Sequence, residues 1–120
     1  MKIFKVNDKK AIEKIVTLLS FASRSKKLVY GKENIREYIK TGNVVIVVSN
    51  VGERVRRDIL TRCEMFNCKI VLLEGLTKES LAKRLGMVNL SVVGVKDKGI
   101  INGIIEVVER GGASGKTKSI

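Results

Sequence analysis

The sequence contains no histidine, no tryptophan and only two cysteines among its 120 residues. Histidine is the most common general base and a frequent zinc ligand, so its absence argues against acid–base catalysis and against a zinc site. The two cysteines, Cys63 and Cys68, are too few for a disulfide framework, and we expect them to be buried, reduced thiols. We therefore predict a protein with no enzymatic activity, no metal and no other cofactor.

Long apolar runs are also missing. No run approaches the ~20 residues that span a bilayer, and the first ten residues, MKIFKVNDKK, lack the apolar core of a signal peptide. We therefore expect a soluble, cytoplasmic monomer that does not bind membranes. The length suits one domain, which we place at residues 1–110, and the Gly-, Ser- and Lys-rich residues 111–120 are expected to form a flexible basic tail.

Acidic residues are half as numerous as basic ones. The chain has 24 Lys and Arg against 12 Asp and Glu, which gives a net charge of +12. Such an excess is typical of proteins that bind a polyanion, most often nucleic acid, although a solvated charged surface without a specific partner gives the same total. Aromatic residues make up only 4% of the chain, so we do not expect the stacking platforms of single-strand binders. A structured RNA, bound through its shape and backbone, is the partner that fits best.

The apolar pattern predicts helices that alternate with strands. Unbroken aliphatic runs such as VVIVV favour strands that are covered on both faces, and helical spacing favours amphipathic helices between them. The expected strands are residues 28–30, 44–48, 69–73 and 91–95, and the expected helices are residues 9–22, 31–42, 52–65, 77–85 and 99–109. This alternation predicts an α/β fold with a central sheet between helical layers.

The most informative segment is ASRSKKLVYGKEN, residues 22–34. Its basic residues, with no acidic residue before position 33, are Arg24, Lys26, Lys27 and Lys32. Gly31 stands where a short strand enters a helix, so a ligand could approach the free amide groups of that helix start. Glu33 and Asn34 could exchange hydrogen bonds with bases. The alternative is that Gly31 only turns the chain and that Glu33 complements the helix dipole.

A second basic group surrounds the third predicted helix. Arg54 and Arg57 share one face of that helix, with Arg56 and Arg62 nearby and Glu53 and Asp58 as acidic neighbours. This pattern predicts either contacts with phosphate groups or a helix surface held by ion pairs.

These features, in this order, resemble the kink-turn-binding ribosomal protein superfamily of archaeal and eukaryotic large-subunit proteins, and most closely its bacterial YlxQ type of RNA-binding relatives. The resemblance covers residues 12–108. It rests on FASRSKKLVYG before a helix that lies between Gly31 and Gly42, on the strand VVIVVSN, on LAKRLG, and on a strand that ends at Lys96 and Asp97.

The resemblance implies a three-layer α/β/α sandwich with a mixed four-stranded central sheet. It also implies that the loop and helix start after the first strand bind RNA, together with the loop before the last strand, Val88, Asn89 and Leu90. The family usually has Gly-Thr-Asn-Glu followed by a helical Lys at the first of these. Here Glu33 replaces that Asn, Asn34 replaces the Glu, and Glu37 replaces the Lys.

We therefore expect a ribosome-associated or other ribonucleoprotein component that binds structured RNA, with a protein-interaction adaptor on the same fold as the alternative. The predicted RNA contacts are Arg24, Lys26, Lys27, Gly31, Lys32, Glu33, Asn34, Arg36, Glu37, Arg54, Arg57, Val88, Asn89 and Leu90.

Overall fold

A computed structural model describes residues 2–117 of the chain, with side chains to residue 110. The strands are β1 (Ile3–Val6), β2 (Leu28–Val29), β3 (Val44–Val48), β4 (Lys69–Leu73), β5 (Val92–Val95) and β6 (Ala113–Thr117). The helices are α1 (Lys9–Arg24), α2 (Lys32–Ile39), α3 (Glu53–Phe66), α4 (Lys78–Arg84) and α5 (Lys98–Val107), and a π-helical turn, Val108–Gly112, follows α5. None of the described helices is long and apolar enough to cross a membrane.

The strands form one mixed sheet in the order β2-β5-β3-β4-β1-β6. Strand β4 pairs in parallel with β1 and β3, whereas β5 pairs antiparallel with β2 and β3. The α/β class and the mixed sheet are as predicted, but the predicted number of four strands is too low. The two additional strands are β1 and β6, which pair antiparallel with each other at one side of the sheet.

Part of the predicted tail takes part in the sheet. Within residues 111–120, residues 113–117 form β6 beside β1, and the flexibility of this segment stays a prediction. Because ASGKT has no apolar alternation, its sequence gives no strand signal, and the backbone pairing with β1 is what defines the strand. Residues 118–120 lie outside the described residues.

Helices cover both faces of the sheet because the β-branched strands alternate their side chains between two cores. One core lies under α1, α4 and α5 and receives Val44, Ile46 and Val48 from β3. The other core lies under α2 and α3 and receives Val45 and Val47 from the same strand. The three layers expected from the resemblance are therefore present, and we call the two outer ones the α1/α4/α5 layer and the α2/α3 layer.

Packing in the α2/α3 layer depends on one glycine. A Cβ atom built on Gly94 would lie 2.5–2.7 Å from ring atoms of Tyr38, so no side chain fits between β5 and α2 at that point. The buried Tyr38 hydroxyl donates a hydrogen bond to the Val44 carbonyl at 2.8 Å. Helix α2 is thereby held close to the sheet, and this contact fixes where its first turn lies.

Candidate functional site

A cleft of about 380 Å³ opens where α2 and α3 begin, beside the loop before β5. The residues that line it are Gly31, Lys32, Ile35, Arg36, Arg54, Val55, Asp58, Ile59, Asn89, Leu90, Ser91 and Val92. Three segments that are distant in sequence therefore meet at one place. Each of the three contains residues that the sequence predicts as RNA contacts.

Helix α2 begins at a backbone conformation that favours glycine. Gly31 has a φ of 92°, and no side chain caps the helix. The carbonyl of Gly31 accepts the first helical hydrogen bond, from the Ile35 amide at 2.9 Å. The exposed first turn, which includes Lys32, thus presents uncapped amide groups and a positive charge at the cleft.

Helix α3 also begins at a glycine, Gly52, and has no side-chain cap. Arg54 lies in its first turn, lines the cleft and is exposed. Among the described side chains, Arg24 and Arg54 are the arginines that form no ion pair. The guanidinium group of Arg54 therefore needs no acidic neighbour to be displaced before it can bind an anion.

Asp58 is the acidic residue of the cleft lining. Its carboxylate accepts hydrogen bonds from Arg62 at 3.0 Å and from Arg36 at 3.4 Å. Burial acts to raise the pKa of Asp58, but the two guanidinium groups outweigh it and hold the pKa below its usual value. Arg36, a predicted RNA contact on α2, is thus partly neutralised within the protein, and the Asp58–Arg62 pair is an ion pair of the kind that the sequence suggested for α3.

The loop before β5 contributes both polar and apolar groups. Asn89 is exposed and lines the cleft, whereas Leu90 is buried in the core of the α1/α4/α5 layer and reaches the cleft only as part of its wall. Val88, the residue before them, is 98% exposed. Val88 does not line the cleft, whereas Val55, which is 43% exposed, gives the lining an exposed apolar side chain beside the positive charges.

Besides Val88, four predicted contacts on α2 and α3 do not line the cleft. Asn34 donates its side-chain amide to the Tyr30 carbonyl at 3.1 Å, so this group already has a backbone partner. Glu37 pairs with Lys40 at 3.1 Å, and Arg57 pairs with Glu53 at 3.2 Å. Glu33 is exposed on the first turn of α2.

The remaining predicted contacts, Arg24, Lys26 and Lys27, are separated from the cleft by β2. This strand pairs with β5 so that Leu28 faces Val95 and Val29 faces Gly94. The turn at residues 24–27 therefore lies at one end of the strand pair and Gly31 at the other, roughly 13 Å apart along an extended chain. The sequence presents residues 22–34 as one basic segment, but the structure divides it into two places.

Cys63 and Cys68 are buried and free, as expected from their number. The Cys68 thiol donates to the Asn43 carbonyl at 3.0 Å. For Cys63, a hydrogen bond with Cys68 and burial raise the pKa of the thiol above its ordinary value. Within residues 2–117 no cluster of three or more His, Cys, Asp or Glu could hold a metal ion.

Sequence reasoning missed half of the cleft lining, namely Ile35, Val55, Asp58, Ile59, Ser91 and Val92. The apolar pattern of the sequence predicts that most of these residues are core positions of α2, α3 and β5. Asp58 stands four residues before Arg62, a spacing that indicates a helix ion pair but gives no indication of a ligand.

No family model and no curated protein matches this chain. Solved structures do match its fold. A protein of unknown function from Bacillus halodurans superposes with a TM-score of 0.69 at 23% identity, covering 80% of this chain and 97% of its own. The 15.5 kD RNA-binding protein of Giardia lamblia superposes with a TM-score of 0.69 at 14% identity, covering 88% of this chain and 90% of its own. At these identities the likeness establishes the fold.

Proposed function

We propose that the protein binds structured RNA through the cleft between α2, α3 and the loop before β5. The observation that carries this proposal is the convergence at one cleft of two uncapped helix starts, an arginine without an ion-pair partner and the exposed Asn89. The net charge of +12 supports a polyanionic partner.

The chemistry of the cleft suits RNA better than a simple anion. Uncapped amide groups, Lys32 and Arg54 can bind phosphate oxygens, because helix starts carry partial positive charge. Asn89 offers a donor and an acceptor to a base edge, and the exposed side chain of Val55 in the cleft lining can pack against a base face. Phosphate contacts would position the RNA, and the loop before β5 would select its structure.

Two likenesses support RNA as the partner. The sequence resembles the kink-turn-binding superfamily, and one structural neighbour is named an RNA-binding protein. We extend the proposal to a role in the ribosome or another ribonucleoprotein, as a cytoplasmic monomer. Because Glu37 pairs with Lys40 where the family has a helical Lys, a kinked RNA would have to be bound without a phosphate contact from that position.

The first experiment is a gel-shift titration of the full chain at moderate salt. It compares a kink-turn RNA with the same helix lacking the bulge. We expect tighter binding of the kinked RNA, with an affinity that falls steeply as salt rises. Equal, salt-sensitive binding of both RNAs would mean a binder of shape and phosphates without kink-turn recognition, and no binding of either would refute the proposal.

Arg54→Ala tests the position of the interface, with Arg110→Ala as a matched control. Both arginines are exposed, and both variants lose one positive charge, but Arg110 lies after α5 and pairs with Glu106 at 3.2 Å. We expect Arg54→Ala to weaken binding by on the order of tenfold and Arg110→Ala to leave it nearly unchanged. Equal losses in both variants would show that only net charge matters and that the cleft is not the interface.

We also propose that the protein performs no catalysis. The chain has no histidine, and Asp58, the carboxylate in the cleft lining, is held by two guanidinium groups. A group in this state is a poor general base because its pKa is lowered. Incubation with the bound RNA should therefore leave the RNA intact.

A protein-interaction adaptor is the second candidate function. The observation that favours it is exposed apolar surface, namely Val55 in the cleft lining and Val88, which stands next to the lining residue Asn89 in the chain. Exposed apolar groups at a cleft are also typical of a protein-docking site. Nuclease treatment of material bound to the tagged protein separates the two functions, since a protein partner would be retained and an RNA-bridged complex would be lost.

A further inference from the structure

The turn after α1 carries a basic surface that the cleft does not include. Arg24, Lys26, Lys27 and Lys96 are all exposed there, and the Lys96 amide donates to the Lys27 carbonyl at 2.8 Å, which brings the last two together. The chain contains no acidic residue between Glu13 and Glu33. Asp97, next to Lys96, accepts a hydrogen bond from the Ile100 amide at the start of α5.

An aromatic ring lies beside these charges. Phe21 is 49% exposed, and the Arg24 guanidinium lies over its ring at 4.8 Å from the centroid. Among the described arginines, only Arg24 and Arg54 form no ion pair. Arg24 lies near the start of β2, and Arg54 lines the cleft together with Gly31, which follows the end of β2. A planar cation stacked on an exposed ring is a surface on which a nucleobase can also stack.

Lys26 occupies a conformation that a lysine adopts at a cost. Its φ is 61°, in the left-handed region that favours glycine. The turn that imposes this φ is defined by hydrogen bonds from Lys26 to the Ser23 carbonyl at 3.2 Å and from Lys27 to the Ala22 carbonyl at 2.8 Å. A glycine would satisfy the same hydrogen bonds without the strain, so the lysine side chain is not what the turn requires.

We propose that Phe21, Arg24, Lys26, Lys27 and Lys96 form a second RNA-contact surface, which binds the phosphates and one unpaired base of a strand that runs along β2 from the cleft. Strand β2 is at the edge of the sheet, so nothing in the described sheet covers its outer side. The extended chain between Lys27 and Gly31 spans roughly 13 Å, which is the length that a bound strand would follow along β2. This inference rests on RNA binding at the cleft and adds to it a site for the single strand that flanks the structured region.

A competing account gives these cations a purely structural role. Lysine and arginine at the end of a helix interact favourably with its dipole, and Arg24 lies in the last turn of α1. If the cations only stabilise the helix end, removing the Lys26 side chain should lower stability and leave RNA binding unchanged. If they contact RNA, removing it should relieve the backbone strain and weaken RNA binding, so Lys26 separates the two accounts.

The test uses Lys26→Gly in the full chain, with Asn67→Gly as the matched control. Asn67, at the end of α3, also has a left-handed φ, of 56°. Both variants should raise the melting temperature, Lys26→Gly by about 3–6 °C.

The RNA probe is the bulged stem used for the cleft, with and without a single-stranded tail of uridines. We expect Lys26→Gly, but not Asn67→Gly, to weaken binding of the tailed probe roughly 3- to 10-fold and to lower the slope of log K against log salt by about 0.7.

Phe21→Ala tests stacking, with the exposed Met65→Ala on α3 as its control. We expect a loss on the order of tenfold for the tailed probe only. If the tailed probe binds all four variants as it binds the unaltered protein, while Arg54→Ala is impaired, the second surface is refuted and the cleft stands. If the unaltered protein binds neither probe, RNA binding itself is refuted, and the second surface with it.

Discussion

The two helical layers differ in how their helices begin. In the α1/α4/α5 layer every helix has a side-chain cap, in which Asp8, Thr77 and Asp97 accept hydrogen bonds from the amides of Ala11, Ser80 and Ile100. In the α2/α3 layer both helices begin at glycine without such a cap. Relative to glycine, a side-chain cap stabilises a helix start by about 0.3 kcal/mol, so the second layer forgoes a little stability at each of its helix starts.

The difference in capping coincides with a difference in position. The uncapped starts of α2 and α3 border the cleft, whereas the capped starts of α1, α4 and α5 do not line it. The cores differ as well, because the buried residues under the capped helices are all apolar, while those under α2 and α3 include Tyr38, Cys63 and Cys68. One layer has capped helix starts over an apolar core, and the other leaves backbone amide groups uncapped at the cleft.

The largest expected effect is a loss of stability in the capped layer that leaves RNA binding intact. Leu19 on α1 is fully buried, and Leu19→Ala should lower the free energy of unfolding by about 2–5 kcal/mol because it leaves a cavity. Urea titration measures this loss. RNA affinity, measured at a temperature where the variant is still folded, should equal that of the unaltered protein. A parallel loss of affinity would mean that the two layers are not functionally separate.

A substitution in the other layer should affect both properties. Gly94→Ala places a methyl group against the Tyr38 ring, and we expect a cost of about 1–3 kcal/mol as α2 is pushed from the sheet. Because α2 carries the cleft residues Lys32 and Arg36 and begins at Gly31, the proposed interface predicts that RNA affinity falls as well. Tyr38→Leu combined with Gly94→Ala should recover part of the stability, since the clash is removed. Gly94→Ala with full stability and full affinity would contradict this packing.

Alkaline pH should weaken the α2/α3 layer selectively. Burial raises the pKa of Tyr38 to about 12, above its ordinary value near 10, so the folded protein retains this proton more strongly than the unfolded chain does. Below pH 10 this proton is bound in both states and the free energy of unfolding is unaffected by it. Between pH 10 and pH 12 the unfolded chain loses the proton first, so the free energy of unfolding falls by on the order of 2 kcal/mol. In Tyr38→Phe the decline of the unfolding free energy over this range should be shallower. An identical decline in both proteins would show that other groups account for it.

The sequence predicted the elements whose signals are local. The run VVIVV identified β3 because both of its faces are buried, and Thr77 identified the start of α4 because its side chain caps the helix. Strands β1 and β6 were missed for a physical reason. The first is only four residues long and contains Lys5, and the second, ASGKT, has no apolar pattern, so both depend on pairing between distant parts of the chain.

The candidate site could be predicted only in part. Gly31, Arg54 and Asn89 were identified from charge, from a helix start and from a family resemblance, and the structure brings them to one cleft. Because residues 22–34 are contiguous, the sequence groups the turn at residues 24–27 with Gly31. The structure separates them, since β2 lies between them and places them at opposite ends of the β2–β5 strand pair. Ion pairs on α3 were one of the two interpretations that the sequence offered, but only the structure shows that Arg36 shares Asp58 with Arg62 and that Arg54 pairs with no acidic residue among the described side chains.

The smallest expected effect tests the capping difference directly. Gly52 has φ −61° and ψ 149°, which any residue can adopt, and a Cβ atom there would contact nothing within 4 Å. Gly52→Ser should therefore install a cap on α3 and stabilise the fold by about 0.5–1 kcal/mol. If the open amides of α3 bind phosphate, the new hydroxyl competes with the RNA, and affinity should fall a few-fold. The matched control is Thr77→Gly, which removes a cap from α4 and should change stability slightly without changing affinity. Stabilisation by Gly52→Ser with undiminished RNA affinity would mean that the uncapped start of α3 serves no ligand, and the difference between the layers would then be one of stability alone.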